Sequence, residues 1–369
     1  MRPGGRHHRT HRRHAEQRIG RSQRYAVVLL GALVVSVGAV TMVGSAQPWA
    51  GSPQPAQRPD SGPHQITRFP EEPVRAFAAD SWWNTEVPDH APLHPYDVEI
   101  LDYLRTAKES GRGCLMLAGA GNKWGQPIYW ALPDDPVYDV VGVRYSRPPE
   151  LSTLRIPRGA QAADNSDGSM SVYDLEKGYV VALTDAAYDE DEDAWRAKGA
   201  TVTYLESNGL HVATGRSDDP RNTGTHRGNN GATMAVAWNE VRAGEIPHVL
   251  KVASGPEVAD RFVFPMTGSD GDYRGDDPAV PAQGLRLRIK PSLDLETLDL
   301  DPDALVIARA LQDYGFYIGD SSGTTSLKLE DTVSEGRGRL WDLPPDALCS
   351  LPFTSDHWDV LAEGYDPSR

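Results

Sequence analysis

From Leu285 to Lys290 apolar and cationic residues alternate without a break, Leu285, Leu287 and Ile289 against Arg286, Arg288 and Lys290. A period of two sends neighbouring side chains to opposite faces of a strand, so this spacing predicts a β-strand with an aliphatic face and a cationic face. Two readings of the cations stand: a solvated sheet face, or the lining of a groove that meets an acidic ligand. Shorter segments with similar patterning, punctuated by Gly, Asn, Asp and Pro, predict further strands over 140–145, 169–174, 179–184, 201–206, 248–253, 261–264, 316–319 and 326–330. Helical spacing marks two other stretches. Ile100, Leu101, Leu104 and Ala107 predict a helix over 97–109, and Leu305, Ala308 and Leu311 a second one, capped by Asp301, opened by Pro302 and closed by Gly315. Neither helix alternates regularly with strands, which disfavours a doubly wound α/β sheet. The pattern is that of a mainly β, largely antiparallel fold with a few peripheral helices, a β-sandwich or jelly-roll-like single domain over residues 73–369.

A different pattern precedes it. Residues 25–46 are uncharged, with an apolar core of about 19 residues, close to the roughly 20 that span a bilayer. Eight arginines and one acid, Glu16, occupy residues 1–46. The basic head, residues 1–24, belongs on the cytoplasmic side, which sends the rest across the membrane. An uncleaved single-pass anchor with an extracytoplasmic C-terminal domain is the leading expectation. A signal peptide cleaved after Ala46, giving a secreted protein, is the alternative. Residues 47–72, with Pro48, Pro53, Pro55, Pro59 and Pro63 among polar residues, read as an extended linker.

The 369 residues carry a net charge of -15, and the basic head makes the remainder more acidic still. Nucleic acid is therefore excluded as a main partner. Export changes the reading of the two cysteines, because an oxidising compartment favours a Cys114–Cys349 disulfide over two separate buried thiols.

The common catalytic signatures GxSxG, HExxH, the P-loop and paired CxxC are absent. The loop at Asp164–Gly168 fails the EF-hand spacing, with Ala163 where the first ligand belongs, and Pro92 breaks the helical turn that His90 and His94 would need to share a metal. No metal or other cofactor is expected. The most unusual segment is 226–232, where His226, Arg227, Asn229 and Asn230 stand between glycines as a dense set of donors and acceptors suited to a hydroxyl-rich or carboxylate-bearing ligand. The plainer reading is a turn in which the asparagines bond local backbone. Glu240 and His248 follow closely, while Asp167, Asp174 and Asp320 stand at strand ends. Glycoside cleavage by hydrolysis usually needs two carboxyls, so Asp167, Asp174, Glu240 and Asp320, with His248, are the acid/base candidates. Trp82, Trp83 and Trp124 offer flat faces for sugar rings, although such residues also anchor cores.

Segments 80–84 (DSWWN), 226–232 (HRGNNGA), 244–251 (GEIPHVLK), 263–271, 284–292 and 308–323 (ARALQDYGFYIGDSSG) resemble a family of exported actinobacterial proteins with no settled function. The resemblance covers roughly residues 75–365 and implies one integrated domain. The leading functional expectation is a membrane-tethered, extracytoplasmic enzyme acting on a polysaccharide or cell-envelope glycan by hydrolysis or elimination. The alternative is a non-catalytic glycan-binding or envelope-scaffold protein. A peptide-bond-processing enzyme is disfavoured, since neither cysteine nor any serine stands in a nucleophile context.

Overall fold

A computed structural model describes residues 69–144, 146–224, 227–331 and 340–367. The basic head, the apolar run, most of the linker, Tyr145 and His226 lie outside the described residues. No helix among the described residues is long and apolar enough to cross a membrane.

The described chain is mainly β with three helices, α1 (Asp97–Thr106), α2 (Trp238–Ala243) and α3 (Pro302–Asp313). The strands of its first half are β1 (Met116–Ala118), β2 (Ile128–Ala131), β3 (Val137–Tyr138), β4 (Val140–Val141), β5 (Leu154–Arg155), β6 (Met170–Asp174), β7 (Tyr179–Thr184) and β8 (Ala187–Asp189). Those of the second half are β9 (Ala194–Arg196), β10 (Gly199–Tyr204), β11 (Thr223–Gly224), β12 (Leu250–Ser254), β13 (Arg286–Ile289), β14 (Phe316–Ser321), β15 (Ser326–Lys328) and β16 (Trp358–Val360). They form a six-stranded sheet in the order β1-β15-β12-β14-β13-β16, a five-stranded sheet β11-β10-β7-β6-β2, and two small sheets. Most neighbours are antiparallel, with four parallel pairs.

Both helices expected from periodicity form. Asp301 accepts from the Asp303 amide, Pro302 takes the first position, and Ala304, Ile307, Ala308 and Leu311 are buried. The first helix stops at Thr106, short of the expected 109, where Glu109 has already turned to φ 69°. The strand expected over 261–264 reduces to a single bridge, Phe262 to Gln283. Phe262 is exposed and Pro265, which has no amide hydrogen, follows, so neither burial nor a ladder extends the pairing.

The six-stranded sheet sorts its side chains by parity. One face carries Leu117, Leu327, Leu250, Val252, Phe316, Ile318, Leu287, Ile289, Trp358 and Val360 into the largest core, against α3 and α1. The other face carries Met116 and Ala118, Ser326 and Lys328, Lys251 and Ala253, Tyr317, Arg286 and Arg288, and Asp359. Burial of the aliphatic face at roughly 25 cal/mol per Å² is the main term holding the sheet to its helices. The five-stranded sheet is covered on both faces. Met170, Val172, Val181 and Val202 meet the small sheets, whereas Ile128, Trp130, Tyr173 and Val180 meet Ala232 and Ala235. Segment 232–236 then pairs with the six-stranded sheet, through the Val236 amide to the Lys328 carbonyl and the Lys251 amide to the Met234 carbonyl. The Cys114–Cys349 disulfide forms, with Cα atoms 5.1 Å apart, and ties the lead-in to β1 to the C-terminal region.

Neither sequence reading of the cations of β13 holds for its two arginines, which are about 1% exposed. Segment 82–89 lies over them. Arg286 donates to the carbonyls of Tyr314, Trp82 and Thr85 and stacks 4.7 Å from the Trp82 ring centroid. Arg288 donates to the carbonyls of Val87, Pro88 and Asp89 and to the Asp359 carboxylate. Burial pushes the Arg286 guanidinium down to about 9, still well above neutrality.

Candidate functional site

Along β1 and β15 the polar face borders a groove of about 590 Å³, which Ala253 of β12 also lines. Its floor is Met116, Ala118, Ser326, Lys328 and Ala253, and its walls include Asn122, Trp124, Asp167, Asp320 and the hydroxyl residues Ser166, Ser321, Ser322 and Thr324.

Asp320 reaches this face through a break in register. Along β12 and β14, Val252 pairs with Ile318 but Ala253 pairs with Asp320, so Gly319 is an extra residue. Without that bulge the carboxylate would follow Phe316 and Ile318 into the aliphatic core; with it, Asp320 joins Lys251 and Ala253. Only glycine fits at the bulge, because a Cβ would lie 2.7 Å from Asn229 Nδ2, 2.8 Å from Tyr317 and 3.0 Å from Lys251 Cε. Asp320 Oδ1 accepts from Arg227 Nη2 at 2.5 Å, and Oδ2 from Lys251 Nζ at 3.0 Å. Arg227 also lies 3.5 Å from Asp270.

The opposite wall comes from two local turns. Asn122 Oδ1 accepts from the amides of Gly119 and Trp124, which fixes the loop that presents Trp124, 44% exposed. Asn165 Oδ1 accepts from the amides of Asp167 and Gly168, while its Nδ2 donates to the Lys123 carbonyl, so the two turns are joined. Lys328 extends between them, donating to the Trp124 carbonyl at 3.0 Å and standing 4.0 Å from Asp167. Burial, then the charge of Lys251, lowers the Lys328 ammonium below the usual lysine range against the opposing pull of Asp320 and Asp167.

Of the residues anticipated from sequence, the groove unites Trp124, Asp167 and Asp320, and Arg227 reaches it through Asp320. Others go elsewhere. Trp82 and Trp83 are corrected from ligand stacking to core packing: they are 4% and 1% exposed and pack edge-on against Tyr317. Asp174 is fully buried, accepting from Arg155 and the Lys177 amide, and so fixes the β6–β7 turn. Asn229 is buried behind Gly319 with Nδ2 toward Met266 Sδ, and Asn230 ties its loop to the five-stranded sheet through Val180 O and Thr203 Oγ1. Both therefore serve the turn and not the groove.

Glu240 and His248 do meet, with His248 Nε2 3.2 Å from the carboxylate and Nδ1 2.9 Å from the Val249 carbonyl. They line a separate internal cavity of about 20 Å³ with Trp130 and Tyr173. Burial disfavours the imidazolium, but the Glu240 charge and hydrogen bond, with the Val249 carbonyl, outweigh it and hold His248 above the ordinary histidine range.

Sequence reading missed Lys251 and Lys328. The signal was present: each is a lone cation within an apolar run, at Val249–Ala253 and Leu327–Leu329. No group of three or more His, Cys, Asp or Glu able to hold a metal occurs among the described residues. No protein-family model, curated protein or solved structure matches the chain.

Proposed function

We propose that the protein acts on a polysaccharide in the groove between Trp124 and Asp320. The observation that carries this reading is the company of side chains there: an exposed indole, two carboxylates and a row of hydroxyls in one groove of about 590 Å³. Indole faces suit the apolar faces of sugar rings, and short hydroxyl and amide side chains match their hydroxyls. Arg227 and Lys251 favour the ionised form of Asp320, which suits it to act as base or to stabilise a developing oxocarbenium charge. Asp167 and Lys328 on the facing wall supply the second proton-transferring position. Lys328, lowered by burial, exchanges its proton nearer neutrality than an exposed lysine does.

The test is a glycan-array screen of the full-length protein, followed by product analysis on each hit. Asp320→Asn and Asp167→Asn should each lower turnover of the identified glycan by about 10²–10⁴-fold, Asp167→Asn with the melting temperature nearly unchanged and Asp320→Asn with a lower one, since it removes the countercharge of Arg227 and of buried Lys251. Full turnover in both variants would remove the catalytic assignment. One observation favours a second reading, a non-catalytic glycan receptor: Asp320 already bonds Arg227 and Lys251, a geometry that serves a rigid binding wall equally well. In that case the array identifies ligands but no product forms.

We also propose an extracytoplasmic, membrane-tethered location and membership of the exported family that the sequence resembles. The basic head before an uncharged run and the Cys114–Cys349 bridge support the location. Protease added to intact cells should remove residues beyond the linker while sparing the head, and soluble protein starting near Gln47 would favour cleavage instead.

A further inference from the structure

The groove does not end at Ser321 and Ser322. These two residues also wall a second hollow of about 530 Å³, bounded by Tyr103 and Glu109 at the end of α1, by Glu257 after β12, and by Asp270 and Asp272. The lip between the hollows is held from both sides. The Ser321 amide donates to Asp320 Oδ1 at 3.1 Å and its hydroxyl to Asp270 Oδ1 at 3.0 Å, while Arg227 bridges the two carboxylates. A lip pinned in this way forms a fixed saddle between two hollows.

We propose that the two hollows are successive subsites for one linear, uncharged glycan chain that crosses the Ser321–Ser322 saddle, an assignment that rests on the polysaccharide reading above. Two hollows joined over a shared wall suit an extended chain, since a ligand filling one alone leaves the other unused. The class of sugar follows from charge. Glu109, Glu257, Asp270 and Asp272 face the second hollow against Lys108 alone, so a chain carrying a carboxylate on each sugar meets repulsion there, whereas a neutral chain does not. With Asp320 at the saddle, cleavage falls inside the chain and gives oligosaccharide products.

The test is calorimetric binding of full-length protein to neutral linear oligomers of glucose, xylose, mannose and N-acetylglucosamine, from two to eight units, beside galacturonate oligomers of equal lengths. For at least one neutral series, affinity should rise at least tenfold from two to eight units and exceed that of the galacturonates. Tyr103→Ala, which alters only the second hollow, should lower eight-unit affinity at least fivefold and leave two-unit affinity within twofold. Ser322→Trp, which places a bulky ring on the exposed saddle, should abolish the gain with length without relying on the first variant. Affinity that is flat beyond two units, or a preference for galacturonates, would overturn this inference and leave the polysaccharide reading intact. Failure of every oligomer to bind would overturn both.

Discussion

The two ends of the polar face of the six-stranded sheet start from the same chemistry and meet different fates. At the β13 end Arg286 and Arg288 are sealed under residues 82–89, whereas at the β12 and β15 end Lys328 lines an open groove and Lys251, itself buried, meets that groove through Asp320. The donor geometry explains the pairing of each cation with its surroundings. A guanidinium presents five N–H donors in a fixed plane, so a single arginine satisfies several carbonyls of a strap lying across it. An ammonium is a compact charge on a flexible stem, better served by carboxylates at the edge of a cavity. One end is therefore a clamp and the other borders a groove.

The strongest way to break this comparison is at the clamp. Arg288→Ala would strip the Val87, Pro88 and Asp89 carbonyls of their arginine donor and leave Asp359 with Lys290 as its remaining cation, so a loss of about 3–5 kcal/mol is expected from urea denaturation midpoints. A loss below about 1 kcal/mol would mean that the strap is held by Trp82 and its aromatic neighbours instead. Next comes the bridge. Cys114 leads into β1, the edge strand of the open end, so reduction or Cys349→Ser is expected to cost about 2–4 kcal/mol and to raise hydrogen exchange in β1 before β13.

A smaller effect separates the buried histidine from both ends. Because the folded state raises His248, its stabilisation is fully present below the ordinary histidine range and is lost as pH rises through the raised value. Melting temperature should thus fall as pH rises above the ordinary histidine range in the native protein, with a flatter profile in His248→Gln. Equal slopes in the two would dissociate the pair from stability. The smallest expected change is at the groove: Lys328→Met should shift stability by no more than about 0.5 kcal/mol while weakening glycan turnover or binding. A large stability loss there would make the open end a second clamp.

Local pattern made much of this legible. The alternation of Leu285–Lys290 and the Asp301–Pro302 cap specify β13 and α3 because the information lies within a few residues. The fate of Arg286 and Arg288 was not legible, since their partners lie about two hundred residues earlier and the recognised atoms are backbone carbonyls, which every sequence has. The tryptophans divide for a related reason. Trp82 and Trp83 lie in the strap and inherit its burial, whereas Trp124 rides on a loop stiffened by Asn122, and composition cannot separate these cases. Of the dense polar segment 226–232, Arg227 bonds Asp320 at the groove, whereas Asn229 and Asn230 point elsewhere. Both asparagines hold up the wall behind it.

The extra residue at Gly319 also gives β14 two neighbouring lengths that present the same faces. Deleting that position would set Asp320 directly after Ile318, where the period of two keeps it on the face of Lys251 and Ala253. A side chain at the position would instead press on Asn229, Tyr317 and Lys251. β14 would thus tolerate loss of that position better than a side chain on it. Among descendants of this chain, position 319 should be glycine or missing.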